Sequence, residues 1–210
     1  MNDGSAHGLE RPSRLLIPDN TPLSLLAMIG EEALDWLFVP GAEVWVTDMV
    51  RQEAIRDPDP DDDRRPEHRA ALASWLDRNR HRVRIQLTDE GEEYRKAMAT
   101  WQLAGNRPDL KPSWKGRGGK SILQVMDAVE KVLAAGEAVV TIVDDARARA
   151  AIRLTEGLDI DLMATESFLT WLHQRFHVEK AATAWMAITI AARGKAPDAP
   201  EEDPVYVRKA

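Results

Sequence analysis

The sequence predicts an α/β fold: a central, mostly parallel sheet with helices on both sides, in three layers. Three observations predict it. Short apolar runs alternate with stretches of helical spacing from residue 14 to residue 193. Two of those runs, 15–18 and 138–143, end on acids and pass at once into helix-like stretches, as strands of a βαβ unit do. The runs are short and rich in Val, Ile and Leu, as strands covered on both faces are.

Each element has a local reason. Leu15-Leu16-Ile17-Pro18 reads as the first strand, closed by Asp19. Thr21-Pro22 supplies a capping hydroxyl and a proline for the start of a helix reaching residue 29. A short helix fits 31–38. Residues 42–46 favour a strand, Thr47-Asp48 caps the next helix, and that helix carries Glu53. The segment 57–66 is all proline, aspartate and arginine and reads as a solvated loop; it lacks the glycine and distant glutamate of a calcium loop. A helix follows over 67–80, a half-exposed strand over 83–87, and a helix over 88–104 headed by Thr88 and Asp89.

Residues 105–117 form a basic loop containing Pro108 and Pro112. Gly118-Gly119 opens a long amphipathic helix over 120–135, stopped by Gly136. The strand at 138–143 ends on Asp144-Asp145, before a helix over 146–154. A last strand over 160–164 and helices over 166–174 and 178–192 complete the chain, the last of them a core element or a homodimer face. These elements define one domain over 14–193, with 57–112 as an elaboration, a flexible start at 1–13 and a disordered tail at 194–210.

Composition narrows the function. The 210 residues carry a formal charge of −7, which excludes an undirected, generally basic nucleic-acid binder. An enzyme acting on nucleic acid stays open, with acids around a cation and basic residues kept to one surface. No apolar run is long enough for a membrane span, and residues 1–5 do not read as a signal peptide. Cysteine is absent, which removes disulfides and thiolate metal sites and fits a cytoplasmic protein. The five histidines, at 7, 68, 81, 173 and 177, show no ligand spacing.

Asp19, Glu53, Asp144 and Asp145 all fall at strand ends or just beyond, where an α/β sheet binds its ligands. Carboxylates gathered there repel unless a cation neutralises them, and oxygen ligands suit Mg2+ or Mn2+. The chemistry to expect is metal-assisted hydrolysis of a phosphodiester. Each acid also has a plain structural alternative: an Asp after a strand often caps the next helix. Lys111, Lys115, Arg117 and Lys120 flank the head of the long helix and could hold phosphates, and Trp114 among them could stack on a base. Asn20, beside the first acid, joins Trp114, Lys115, Arg117 and Lys120 as a substrate-contact candidate. Two further basic clusters, 64–69 and 78–84, read as solvated surface. Gly-Lys-Ser at 119–121 lacks the earlier glycine of a phosphate loop, where Trp114 stands.

Four stretches in order resemble the PIN-domain ribonucleases: residues 16–23, 43–53, 140–149 and 160–169. The first is a strand ending in Asp19; the second places Glu53 in the helix after a strand. The third is a strand ending at Asp144-Asp145 before an arginine-bearing helix, and the fourth is a last strand with its helix. The resemblance implies a PIN-like three-layer fold and a Mg2+- or Mn2+-dependent endoribonuclease, with Asp19, Glu53 and Asp145 as metal ligands and Asp144 one register away. It also implies a toxin restrained by an antitoxin protein. One departure matters: the family's glutamate at the head of the long helix falls on Gly119 or Lys120 here. A catalytically silent PIN-like protein that binds RNA or a protein partner is the alternative, and a DNA-directed nuclease of the same chemistry is a third.

Overall fold

Five strands, β1 (Ser13–Pro18), β2 (Glu43–Thr47), β3 (Val83–Gln86), β4 (Ala138–Ile142) and β5 (Ile160–Met163), form one wholly parallel sheet. Their order is β3-β2-β1-β4-β5 in the computed structural model, which describes residues 12–56, 66–153 and 157–193. The expectations for 1–11, for the acidic segment 57–65 with Arg64 and Arg65, and for 194–210 lie outside the described residues.

The central position of β1 follows from its side chains. Leu15, Leu16 and Ile17 are completely buried, as a strand between two helical layers must be. Every residue of β4 is buried as well. The chain winds outward from β1 to β2 and β3, then returns to place β4 on the other side of β1. Right-handed crossovers therefore put the helices of the two halves on opposite faces of the sheet. The strand order reverses between β1 and β4, and sheets of this kind bind their ligands beyond the carboxyl ends of the strands at such a reversal.

The helices are α1 (Asn20–Ile29), α2 (Glu31–Leu34), α3 (Asp48–Ile55), α4 (Pro66–Arg78), α5 (Asp89–Leu103), α6 (Arg117–Glu130), α7 (Ala146–Arg153), α8 (Thr165–Phe176) and α9 (Ala181–Arg193). Short 3-10 turns cover Asp35–Phe38 and Pro108–Leu110. The stretch 57–112 contributes β3, which pairs with β2 from Val44–Val83 to Thr47–Gln86 and so belongs to the same sheet.

Several boundaries differ from the sequence reading. Helix α1 starts at Asn20, so Asp19 rather than Thr21 is its N-cap residue, and Pro22 falls within the first turn. Helix α6 starts at Arg117 and ends at Glu130, five residues short of the expected end. Its fully buried apolar face ends with Val129; beyond it Val132 is 39% exposed, and half-buried Leu133 still packs against the core from outside the helix. Thr165 lies inside α8 rather than before it; its cap comes from another segment, described below. Helix α9 buries Ala181, Ala184 and Ile188 and leaves Met186 and Ile190 half exposed. No helix among the described residues is long and apolar enough to cross a membrane.

Candidate metal and phosphate site

The register of β1 on β4 brings the first and last acids together. Pro18 pairs with Ile142, and the Asp19 N–H donates to the Ile142 carbonyl at 2.9 Å. Asp19 and Asp144 thus leave adjacent strands at the point where the strand order reverses. Asp19 holds the N-cap position of α1, yet its side chain makes no capping bond; it accepts from the adjacent Asn20 N–H instead. The structural alternative for this residue therefore lacks its contact. The Asn20 side chain itself is engaged, accepting from the Ser24 hydroxyl at 3.3 Å.

Glu53 arrives from α3 and meets the head of α6. The Gly118 N–H donates to Glu53 Oε1 at 2.8 Å, so this carboxylate sits on the positive end of a helix. A relay of hydroxyls fixes the geometry. The Val50 N–H donates to Thr47 Oγ1, Thr47 Oγ1 lies 2.6 Å from Ser121 Oγ, and Ser121 donates to the Gly118 carbonyl at 2.7 Å. With its one proton spent on Gly118, Ser121 must accept from Thr47. The end of β2, the first turn of α3 and the first turn of α6 are thereby locked together.

Gly118 is the point where Asp19 and Glu53 converge. A Cβ there would lie 2.8 Å from Glu53 Oε2 and 3.2 Å from Asp19 Oδ1. The residue must be glycine for both carboxylates to keep their places. Gly116, at φ 74, turns the preceding loop into α6. A Cβ at Gly119 would instead face Ala148 of α7, at 3.2 Å, and Lys120 is exposed. The glutamate that the resemblance leads one to expect thus has no counterpart at any of the three positions.

Burial pushes the Asp19 carboxyl up to about 6; the Asn20 N–H opposes the rise, and the charges of Asp144 and then Asp145 add to it. Burial likewise pushes Glu53 up to about 7, opposed by the Gly118 N–H and increased by the charge of Asp19. Asp19 thus feels the charges of Asp144 and Asp145, Glu53 feels that of Asp19, and Asp19 and Glu53 both resist ionisation.

The paired aspartates have separate tasks. Asp145 Oδ1 accepts from the Ala148 N–H at 2.7 Å and caps α7. Asp144 accepts from both the Thr165 N–H, at 2.8 Å, and the Thr165 hydroxyl, at 2.6 Å, which ties β4 to the head of α8. Among the described residues no three His, Asp or Glu side chains form a ready-made cation site. The residues present still fit a hard divalent ion: Mg2+ typically takes one or two carboxylates and fills its remaining positions with water and substrate phosphate.

The basic loop lies beside this site, and its residues divide. Arg117 is held, donating to Glu90 Oε1 at 2.5 Å and to the Ser113 carbonyl at 2.8 Å. Glu90, a buried partner the sequence gave no signal for, is 8% exposed. The Trp114 ring has the Arg56 guanidinium 3.7 Å from its centre, so one face is already covered. Lys115 and Lys120 are exposed. The sequence marks Thr47 as a helix cap, as the structure has it, Gly118 as a helix opener and Thr165 as the head of a helix, but not what these residues and Ser121 do at the site; hydroxyls and glycines carry no chemical signature until their neighbours are known.

Comparisons with protein-family models, with curated proteins and with solved structures give no match for this chain, so its site is read from its own geometry.

Proposed function

We propose that this protein is a Mg2+- or Mn2+-dependent endoribonuclease of the PIN type, acting as the toxin of a toxin–antitoxin pair. One observation carries the reading. Asp19 and Glu53, 34 positions apart in sequence, bring one buried and one half-buried carboxylate to one glycine at the strand-order reversal, and both resist ionisation. Such a pair is costly without a cation and well suited to one.

Asp19 and Glu53 would hold the ion. A divalent ion in that position stabilises charge on a phosphoryl oxygen and acidifies water. The chain supplies the rest. The relay through Thr47 and Ser121 keeps Glu53 in place, Asp144 adds negative field while anchoring α8, and Lys120 and Lys115 attract the RNA backbone. Asp145 remains a further ligand candidate, at the cost of its bond to α7.

A second reading has a specific observation behind it. Positions 118–120 offer no carboxylate, which supports a catalytically silent PIN-like protein that binds RNA or a protein partner. Cleavage of single-stranded RNA in the presence of Mn2+, compared between wild type, Asp19→Asn and Gly119→Glu, separates the two. The nuclease reading expects cleavage by wild type that Asp19→Asn abolishes. No cleavage and no bound Mn2+ in either wild type or Gly119→Glu supports the silent reading. Parallel assays on single-stranded DNA decide between RNA and DNA as substrate.

A further inference from the structure

The open edge of the sheet carries a second feature. Strand β3 pairs with β2 on one side, and no strand among the described residues pairs with its other side. Beside it, between α3, α4 and β3, lies a groove of about 490 Å³. Leu76 and Ile85 belong to its aliphatic lining, and Ile85 is 37% exposed. Arg51, Arg80 and Arg84 also line the groove, against the single carboxylate of Asp77. The Arg84 guanidinium is engaged on the other face of β3, 3.9 Å from Glu43 and 5.1 Å from the centre of the Trp45 ring, while Arg51 and Arg80 have no ion pair among the described residues and supply the positive charge of the groove. A chain with net charge −7 thus carries a positive groove along an unpaired strand.

We propose that this groove docks an extended, acidic segment of a partner protein, which joins the sheet beside β3. An exposed edge offers backbone groups for a further strand, and pockets beside it select alternate side chains. The aliphatic lining takes Val- or Ile-like side chains, and the guanidiniums take the intervening carboxylates. No aromatic ring lines the groove, which removes the stacking platform a single-stranded nucleic acid would use. The surface is distinct from the acidic site. Arg51 and Glu53 lie two residues apart on α3, about 200° around the helix, and so face opposite ways.

The test uses the full chain and three probes: a labelled seven-residue peptide alternating Asp or Glu with Val, its Asn/Gln counterpart, and oligouridylate. Fluorescence anisotropy reads binding, and hydrogen exchange reads the amides of residues 83–87. The acidic peptide is expected to bind at least about tenfold more tightly than its amide counterpart, to slow exchange on β3, and to lose about tenfold in affinity with Arg51→Glu/Arg80→Glu. The exposed single variant Arg80→Ala gives a smaller loss with less risk to folding. Absence of peptide binding overturns the proposal, as does binding indifferent to both variants. Oligouridylate binding that depends on the same arginines and leaves β3 exchange unchanged overturns it in favour of a nucleic-acid surface. The groove variants leave Mn2+ binding unchanged, so failure here is separate from failure of the nuclease reading.

Discussion

Replacing Asp19 with Asn removes the buried member of two carboxylates that resist ionisation, and the effect should be legible in stability against pH. Asp19 moves from an ordinary 3.8 to about 6, and Glu53 from 4.5 to about 7. Both groups bind protons more tightly in the folded protein than in the unfolded chain. Their stabilising contribution is therefore complete below about pH 4, falls as pH rises through 4 to 7, and has gone above about pH 7. For Asp19 the loss is about 3 kcal/mol at roughly 1.4 kcal/mol per pKa unit.

Coupling makes the two losses less than independent, because the Asp19 charge contributes to the shift of Glu53. In a chain of this size, 3 kcal/mol corresponds to a melting-temperature difference of about 6–12 °C. The assay is thermal unfolding followed by circular dichroism from pH 4 to pH 8 in chelator. Wild type is expected to lose about 6–12 °C more than Asp19→Asn across this range, and millimolar Mg2+ to remove much of the difference at pH 8. Parallel curves for the two proteins in chelator would refute the reasoning, because they would show that Asp19 ionises as freely folded as unfolded.

Other outcomes follow from single contacts. Gly91→Ala places a methyl group against the Asp48 carboxylate, which already accepts from Thr88 and Arg95; a loss of about 1–3 kcal/mol is expected in urea unfolding. Asp144→Ala leaves the first turn of α8 without its cap and strands the Thr165 hydroxyl, for a loss of roughly 2–4 kcal/mol by the same assay. Arg117→Ala leaves Glu90 buried without its cation and is expected to destabilise by about 1–3 kcal/mol, with Glu90→Gln in the same chain restoring part of the loss. Ser121→Ala breaks the relay to Gly118; Mn2+ affinity measured by calorimetry is expected to fall by about tenfold, the scale of a lost supporting contact.

The sheet was legible because its central strands are nearly pure apolar runs and its edge strand β3 alternates apolar and polar residues. Leu15, Leu16 and Ile17, and all of β4, announce a strand buried on both faces, and Asp19 and Asp144 mark where those strands stop. Helix ends were less legible; α6 stops at Glu130 although apolar spacing runs on through Val132 and Leu133, and of these two Val132 is exposed while Leu133 reaches the core from outside the helix. Within the site, the acids could be named but not their duties. Asp144 and Asp145 look alike in sequence, yet one serves Thr165, 21 positions away, and the other Ala148. Arg117 reads as a phosphate contact until its buried partner Glu90 is seen. Gly118 reads as a helix opener, and only the fold shows two carboxylates crowding the place a Cβ would take.

The most direct measurement is the anomalous difference map of crystals soaked in Mn2+. The account expects one strong peak bridging the Asp19 and Glu53 carboxylates, beside Gly118, and its loss in Asp19→Asn crystals. Manganese bound elsewhere, or two bare carboxylates at millimolar Mn2+, would contradict it.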